Sequence, residues 1–364
     1  MNFDNPQLRP RAREAGIVIG DLPTGALNAI TDVPGIRVGH VSLIEGDGPL
    51  HIGQGPVRTG VTAILPPGQD WWSNPVEAGN FVINGAGTTA GLSFLDEYHR
   101  IETPIALTNT LSVGSVYEGI VQYMVDDVFR SLGHVPWFNP VVGETSDAFL
   151  NDIGGLHVRP EHAIQAIRNA AGGPVDEGSV GGGVAMGALG WKAGIGTASR
   201  VLELGGGSAT MGVLVQSNFG GTLTVDGVRM PDEEAEIVDE RGGASIMIIF
   251  ATDLPLSGGD LDRVAKRATF GLARTGSNGG HGSGDYVIGF STTWRQPDRK
   301  KLIRSAMRDN ESLIDKPFVA IAEATEEAIL NSLFKATTIV GRDGHVRQAM
   351  PVDEVLQRWQ VAKG

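Results

Sequence analysis

The sequence predicts an α+β fold built in layers. Predicted strands follow one another in runs instead of alternating strictly with helices, which disfavours a doubly wound parallel sheet. Helical periodicity is clear in only a few segments. Glycine supplies 52 of 364 residues, twice the usual share of about 7 %. The glycines cluster at the ends of predicted strands, where they permit positive φ and close backbone approach. They follow no period and join no Ser/Gln runs, so neither collagen nor a flexible linker fits.

The elements can be taken in order. Residues 1–35 are irregular and proline-containing, and we expect an arm lying over a neighbouring subunit. Ile36–Ile44 alternates apolar and polar residues and reads as a strand, followed by Gly60–Leu65, Phe81–Asn84 and Ile105–Thr110. Ser112–Leu132 is the clearest helix, with Val116, Ile120, Val121, Met124, Val128 and Leu132 at helical spacing. Pro160–Ala171 is a second helix, opened by proline and stopped by Gly172 and Gly173. Gly181–Gly190, Ala209–Asn218 and Thr222–Val225 read as glycine-rich strands. Met230–Glu240 is acidic and reads as a surface loop. Ser245–Thr252 is a buried strand, Asp260–Ala273 a helix capped from Ser257 to Asp260, and Asp285–Thr292 a strand. Glu311–Ala336 contains a helix started or interrupted at Pro317. Arg342-Asp343-Gly344 is a hairpin-type turn, and Val352–Val361 a closing helix. Residues 226–244 are the one plausible internal break, so a single domain spanning 1–364 is expected.

Composition removes several functions. The net charge is −13, whereas nucleic-acid binders need a positive footprint. There is no cysteine, which excludes disulfides, zinc–thiolate sites, cysteine-ligated iron–sulfur clusters and a cysteine nucleophile. The start, Met1 to Arg11, has no apolar signal region. No run approaches the roughly 18 apolar residues of a membrane span. A cytoplasmic protein is expected. The eight histidines, His40, His51, His99, His134, His157, His162, His281 and His345, make no tight ligand pattern. Asn84–Gly91 has GxGxxxG spacing without the acidic partner of a dinucleotide loop, and reads as a turn. Gly187–Lys192 lacks the Ser or Thr of a phosphate loop. No nucleotide, metal or other cofactor is expected.

The chemistry concentrates around Arg241-Gly242-Gly243-Ala244-Ser245, which opens the apolar run Ile246–Ala251. If the Ala244–Ser245 bond breaks, Ser245 gains a free α-amine beside its own hydroxyl. That amine has an ordinary pKa of about 7.7–8.0 and can serve as a base near neutral pH. The plain alternative is a loop entering a strand. Three further residues have paired readings. Glu144, after Val141–Gly143, is a helix cap or solvated loop acid, or an anchor for a substrate ammonium. Asn218, between turns, is an Asx-type residue or an oxyanion donor. Ser283 and Asp285, two apart at a strand start, belong to a flexible glycine loop or tune another group by hydrogen bonds.

These segments together resemble the L-aminopeptidase/D-amidase/D-esterase family, which includes the β-peptidyl aminopeptidases. The likeness lies in Gly25–Val33 with Gly35 and Val38-Gly39-His40, in Gly55–Pro66, in Thr108-Asn109-Thr110 and in Gly194–Arg200. It implies a four-layer αββα sandwich, similar to the Ntn hydrolases with different connectivity. It also implies self-cleavage into an α-chain, 1–244, and a β-chain, 245–364. Ser245 matches the nucleophile, Asn218 the oxyanion residue, Ser283 and Asp285 the supporting serine–acid pair, and Glu144 the acid that receives the substrate amine. The likeness further implies an enzyme without a metal that tends to assemble as a homotetramer. This chain departs from the family at Ser146, Ala148 and Phe149, where relatives often carry a larger residue, Gly and Tyr.

The resemblance implies an aminopeptidase or amidase that releases N-terminal amino acids from short peptides, amides or esters through an acyl-enzyme. Two alternatives remain at this stage. An acyltransferase would pass the same acyl group to an amine, and a non-catalytic scaffold would never cleave itself.

Overall fold

The computed structural model of the chain describes residues 8–230, 244–296, 298 and 300–364. Along the chain come β1 (Arg37–Glu45), β2 (Val57–Leu65), β3 (Val76–Gly85), α1 (Leu92–Tyr98), β4 (Arg100–Ile101), β5 (Ile105–Asn109), α2 (Val113–Tyr123), β6 (Val141–Thr145) and α3 (Pro160–Arg168). Then follow β7 (Ile195–Leu204), β8 (Gly207–Asn218), β9 (Ala244–Thr252), α4 (Gly258–Arg274), β10 (Ser283–Ser291), α5 (Lys301–Asp309), α6 (Asp315–Phe334) and α7 (Val352–Lys363). Short two-stranded ribbons fill some of the gaps.

The strands form two sheets. The smaller has the order β1-β2-β5-β6, and the larger β4-β3-β10-β9-β8-β7. Their facing sides share one core, with Ile64, Leu107 and Val141 from the smaller sheet against Leu214, Met247, Ile249 and Ile288 from the larger. Helices α2 and α3 cover the outer face of the smaller sheet, burying Val116, Ile120 and Ala163 on Val61, Ala63 and Ala106. Helices α4 and α6 cover the outer face of the larger sheet. The result is the four-layer αββα sandwich.

Strand β9 lies inside this sandwich and is covered on both faces. Met247, Ile249 and Ala251 face the smaller sheet, and Ile246, Ile248 and Phe250 face the helices. That is why its sequence is continuously apolar. Truncating a residue such as Phe250 to alanine costs about 3–5 kcal/mol. Close approach of α6 to β7 depends on Gly196, where a Cβ would stand 2.0 Å from the Ala328 carbonyl oxygen.

Several elements differ from expectation. Gly181–Gly190 is not a strand. Gly181–Gly183 makes a 3-10 turn, and only Gly187–Ala188 pairs, with Trp191–Lys192. The turn begins with Gly181 at φ +53°, and its tight packing on Thr62 and Gln216 leaves no room for side chains. The long helix 112–132 is α-helical only from Val113 to Tyr123. It then widens into a π-helical turn, Met124–Val128, and closes on Gly133 in the left-handed region. Of Thr222–Val225, only Thr224–Val225 is strand, paired with Val228–Arg229.

The N-terminal arm packs on its own chain. Ala12 and Ile17 enter the core beside α6. Arg9 donates to the carbonyls of Phe334 and Met350, and Arg13 pairs with Glu327 at 2.8 Å. The acidic stretch read as a loop lies outside the described residues except for Met230, which is buried. Among the described residues no helix is long and apolar enough to cross a membrane.

Candidate active site

The candidate residues converge on one end of the two sheets. Ser245 is the second residue of β9. Its register partners are Asn218, the last residue of β8, and Gly284, the second residue of β10. Backbone pairing alone therefore brings three segments, far apart in sequence, to one point. The polypeptide continues through Ala244, so this is the geometry of the uncut junction. The Ser245 hydroxyl donates to the Ala244 carbonyl oxygen at 2.5 Å and accepts from the Gly284 N–H at 3.3 Å. The serine is 4 % exposed.

Asn218 is oriented from both ends. Its Oδ1 accepts from the Gly187 N–H at 3.1 Å, and its Nδ2 donates to the Ser146 carbonyl at 3.0 Å. The amide donor is thus turned toward β6 and not toward the ribbon at Gly187. On the other flank the Ser283 hydroxyl donates to Asp285 Oδ1 at 2.6 Å. Burial pushes the Asp285 carboxyl up, and the bonds from Ser283 and the Ile246 N–H pull it back.

Glu144 comes from the smaller sheet. It lies in β6, whose parallel pairing with β5 sets Glu144 beside Thr108. Its Oε1 accepts from the Thr88 N–H at 2.7 Å, and its Oε2 accepts from the Thr110 hydroxyl. Burial raises its pKa, and these two donors oppose the rise. Buried carboxylates are normally neutralised by a cation or a proton. A pinch of two glycines separates Glu144 from Ser245. A Cβ on Gly87 would lie 2.9 Å from Glu144 Oε1, and one on Gly284 would lie 2.9 Å from the Gly87 Cα. The Tyr286 hydroxyl donates to the Gly87 carbonyl at 2.7 Å and fixes this wall.

Thr88, Thr110, Tyr286 and the Gly87–Gly284 pinch did not stand out in the sequence. Asn84–Gly91, a turn by its spacing, is indeed the turn after β3, yet it also walls the site. Thr110 lay inside the quoted Thr108-Asn109-Thr110 segment, the one available signal. Asp147, three residues past Glu144, is also unexpected. It is 1 % exposed, and neither carboxylate oxygen makes a well-formed hydrogen bond. Thr59, Asn151 and Asn109 face it, yet burial still pushes its pKa up to about 6. Among the described residues no group of His, Asp and Glu is arranged to hold a metal ion.

The profile of peptidase family S58 matches residues 28–347. The chain belongs to peptidase family S58. Among S58-type relatives, "Beta-peptidyl aminopeptidase BapA" of Sphingosinicella microcystinivorans is 44 % identical over 366 residues, covering 95 % of this chain and 91 % of the relative. The crystal structure of the PH0078 protein from Pyrococcus horikoshii OT3 superposes with a TM-score of 0.87 at 45 % identity, covering 98 % of this chain and 100 % of that one. The L-aminopeptidase D-Ala-esterase/amidase of Ochrobactrum anthropi, described as a variant of the Ntn hydrolase fold, gives 0.84 at 35 % identity over 98 % and 99 %. This S58 chain is a peptide-bond hydrolase built on the N-terminal-nucleophile aminopeptidase architecture.

Proposed function

We propose that the chain cuts itself between Ala244 and Ser245 and then works as an N-terminal-serine aminopeptidase and amidase. The observation that carries this reading is the Ser245 hydroxyl, 2.5 Å from the Ala244 carbonyl oxygen, between Asn218 and Gly284 on adjoining strands.

In the precursor, Ser245 Oγ attacks the Ala244 carbonyl carbon. The hydroxyl proton passes to the Ser245 nitrogen, the C–N bond breaks, and an ester links Ala244 to Oγ. Water hydrolyses that ester. The products are an α-chain, 1–244, ending in a carboxylate, and a β-chain, 245–364, beginning with a free amine.

In the mature enzyme the Ser245 α-amine takes the hydroxyl proton as Oγ attacks the substrate carbonyl, and later gives it to the leaving amine. The Asn218 amide stabilises the oxyanion. Ser283 and Asp285 position the α-amine. Glu144 pairs with the N-terminal ammonium of the substrate, which selects free over blocked N-termini because a blocked one leaves a buried acid without a counter-ion. The scheme uses no cofactor and no metal ion.

The names of the relatives favour substrates with an N-terminal β-amino acid. We further propose a homotetramer of αβ units in the cytoplasm. The test is intact mass of purified protein beside its Ser245→Ala variant. Two fragments with a new N-terminus at Ser245, in the wild type only, are expected. An uncut chain in both would overturn the N-terminal-serine mechanism.

A further inference from the structure

Glu144 accounts for one end of the substrate, and nothing above says what receives the other end. A cavity of ≈ 370 Å³ opens beside the junction, lined by Phe219, Gly221, Ala244, Asn278, His281 and Ser283 among others. We propose that this cavity is the leaving-group subsite, and that it favours an amino acid or short peptide released with a free carboxylate. The proposal rests on the self-cleaving aminopeptidase reading and adds the half of the substrate that reading leaves open.

Position is the first argument. A leaving amine must meet the Ser245 nitrogen to receive its proton, because proton transfer needs hydrogen-bond reach. That nitrogen is bonded to Ala244, and Ala244 is the register partner of Ser283. Both residues line the cavity. Release of the α-chain end leaves the new amine at the cavity rim.

Direction is the second. Phe219 belongs to the core between the larger sheet and helices α4 and α6, and the half-buried Ala244 packs against it. Glu144, Thr88 and Thr110 approach from the smaller sheet. The cavity and the amine anchor therefore flank Ser245 on opposite sides, as the two halves of a cleaved peptide must.

Chemistry is the third. The chain carries a net charge of −13, yet among the described residues no carboxylate side chain lines the cavity. Its polar groups include the His281 ring and the Asn278 amide, both exposed and both able to donate to an anion. The buried Phe219 lines the apolar side. The wall is also held in shape. The Asn84 amide donates to the carbonyls of Gly280 and Ser283, at 2.9 and 2.6 Å, and the Gly279 N–H donates to the Ser277 hydroxyl. Because formation and attack of the acyl-enzyme follow the same path in reverse, an acceptor amine enters through the same subsite in acyl transfer.

The experiment compares wild type with Asn278→Ala/His281→Ala and with His281→Gln, on three substrates sharing one N-terminal residue. They are a dipeptide with a free carboxylate, the same dipeptide amidated at its C-terminus, and the amino-acid amide that releases ammonia. The double variant is expected to raise KM about tenfold on the free-carboxylate dipeptide, the scale of losing hydrogen bonds to a charged group. It leaves the amino-acid amide unchanged, and His281→Gln, which keeps a donor at 281 and leaves Asn278 in place, raises KM on the free-carboxylate dipeptide less than the double variant does. An equal effect on all three substrates, or no effect on the free-carboxylate dipeptide, overturns the subsite. Failure of the underlying reading looks different: the wild type then stays uncut and behaves like Ser245→Ala on every substrate.

Discussion

The two halves of the candidate site are built by different means. The Ser245 half is written into strand register: Asn218, Ser245 and Gly284 are neighbours because β8, β9 and β10 pair at those residues. The Glu144 half takes its carboxylate from strand β6 but its hydrogen-bond donors from loops. Its carboxylate is held by Thr88 from the turn after β3 and Thr110 from the turn after β5. A register holds as long as the sheet holds, whereas a loop-built anchor depends on each donor. Substitutions in the first half should therefore remove chemistry with little change in binding, and those in the second should weaken binding with chemistry intact.

The largest effect is expected from Ser245→Ala, which abolishes both chain cleavage and peptide hydrolysis. Mass spectrometry and an amide assay would show it. Asn218→Ala should lower kcat by about 10²–10³, the usual result of deleting one oxyanion donor, with KM nearly unchanged. A mainly KM effect would break the contrast between the halves. Glu144→Gln keeps the shape of the anchor and removes its charge. It should raise KM for peptides with a free amine by about 10- to 100-fold and leave kcat close to wild type.

Thr110→Val tests the same half more gently. Burial already holds the Glu144 pKa up, and Thr110 pulls it down. Without that donor the pKa rises further, so amine binding is lost at a higher pH as the solution is acidified. The acid limb of kcat/KM should move to higher pH, with a smaller loss than in Glu144→Gln at neutral pH. An unmoved limb would detach Thr110 from the anchor.

Asp147→Asn should change stability instead of catalysis. The folded pKa of Asp147, about 6, lies above its ordinary 3.8, so the folded state holds the proton more tightly than the unfolded one. Its stabilising contribution is complete below that ordinary value and is lost as pH rises through the window up to about 6. At most about 3 kcal/mol is at stake. Thermal unfolding of the Asn variant, measured against wild type, should gain relative stability between pH 4 and 7. A pH-independent difference would show that Asp147 is ionised without cost.

Much of the larger sheet was legible in the sequence. The apolar run at 246–251 and the strands ending at Asn218 and starting near Asp285 carry strong period and punctuation signals. Strand β7 was missed because Ser199, Arg200 and Glu203 interrupt its apolar pattern. Arg200 is fully buried, where Glu323 and Glu327 of α6 neutralise it, at 2.9 and 2.8 Å, and backbone carbonyls accept further hydrogen bonds from it. Strand β6 was missed for brevity, being five residues with Gly143, Glu144 and Thr145 among them. The glycine-rich stretch 181–190 looked like strand, but residues without side chains are equally suited to a turn pressed against a neighbouring sheet.

By itself the sequence determined the residue types, the family and the order of the principal strands, because apolar period and turn chemistry are local properties. Only the tertiary structure decided which loops reach those strands. Thr88 and Thr110 became partners of Glu144, Gly87 came to touch Gly284, and the segment around Asn278 and His281 closed a cavity beside Ala244. Each of these contacts joins segments many residues apart. Their geometry follows from how two sheets stack and where their ends align, and no local pattern of residues encodes that.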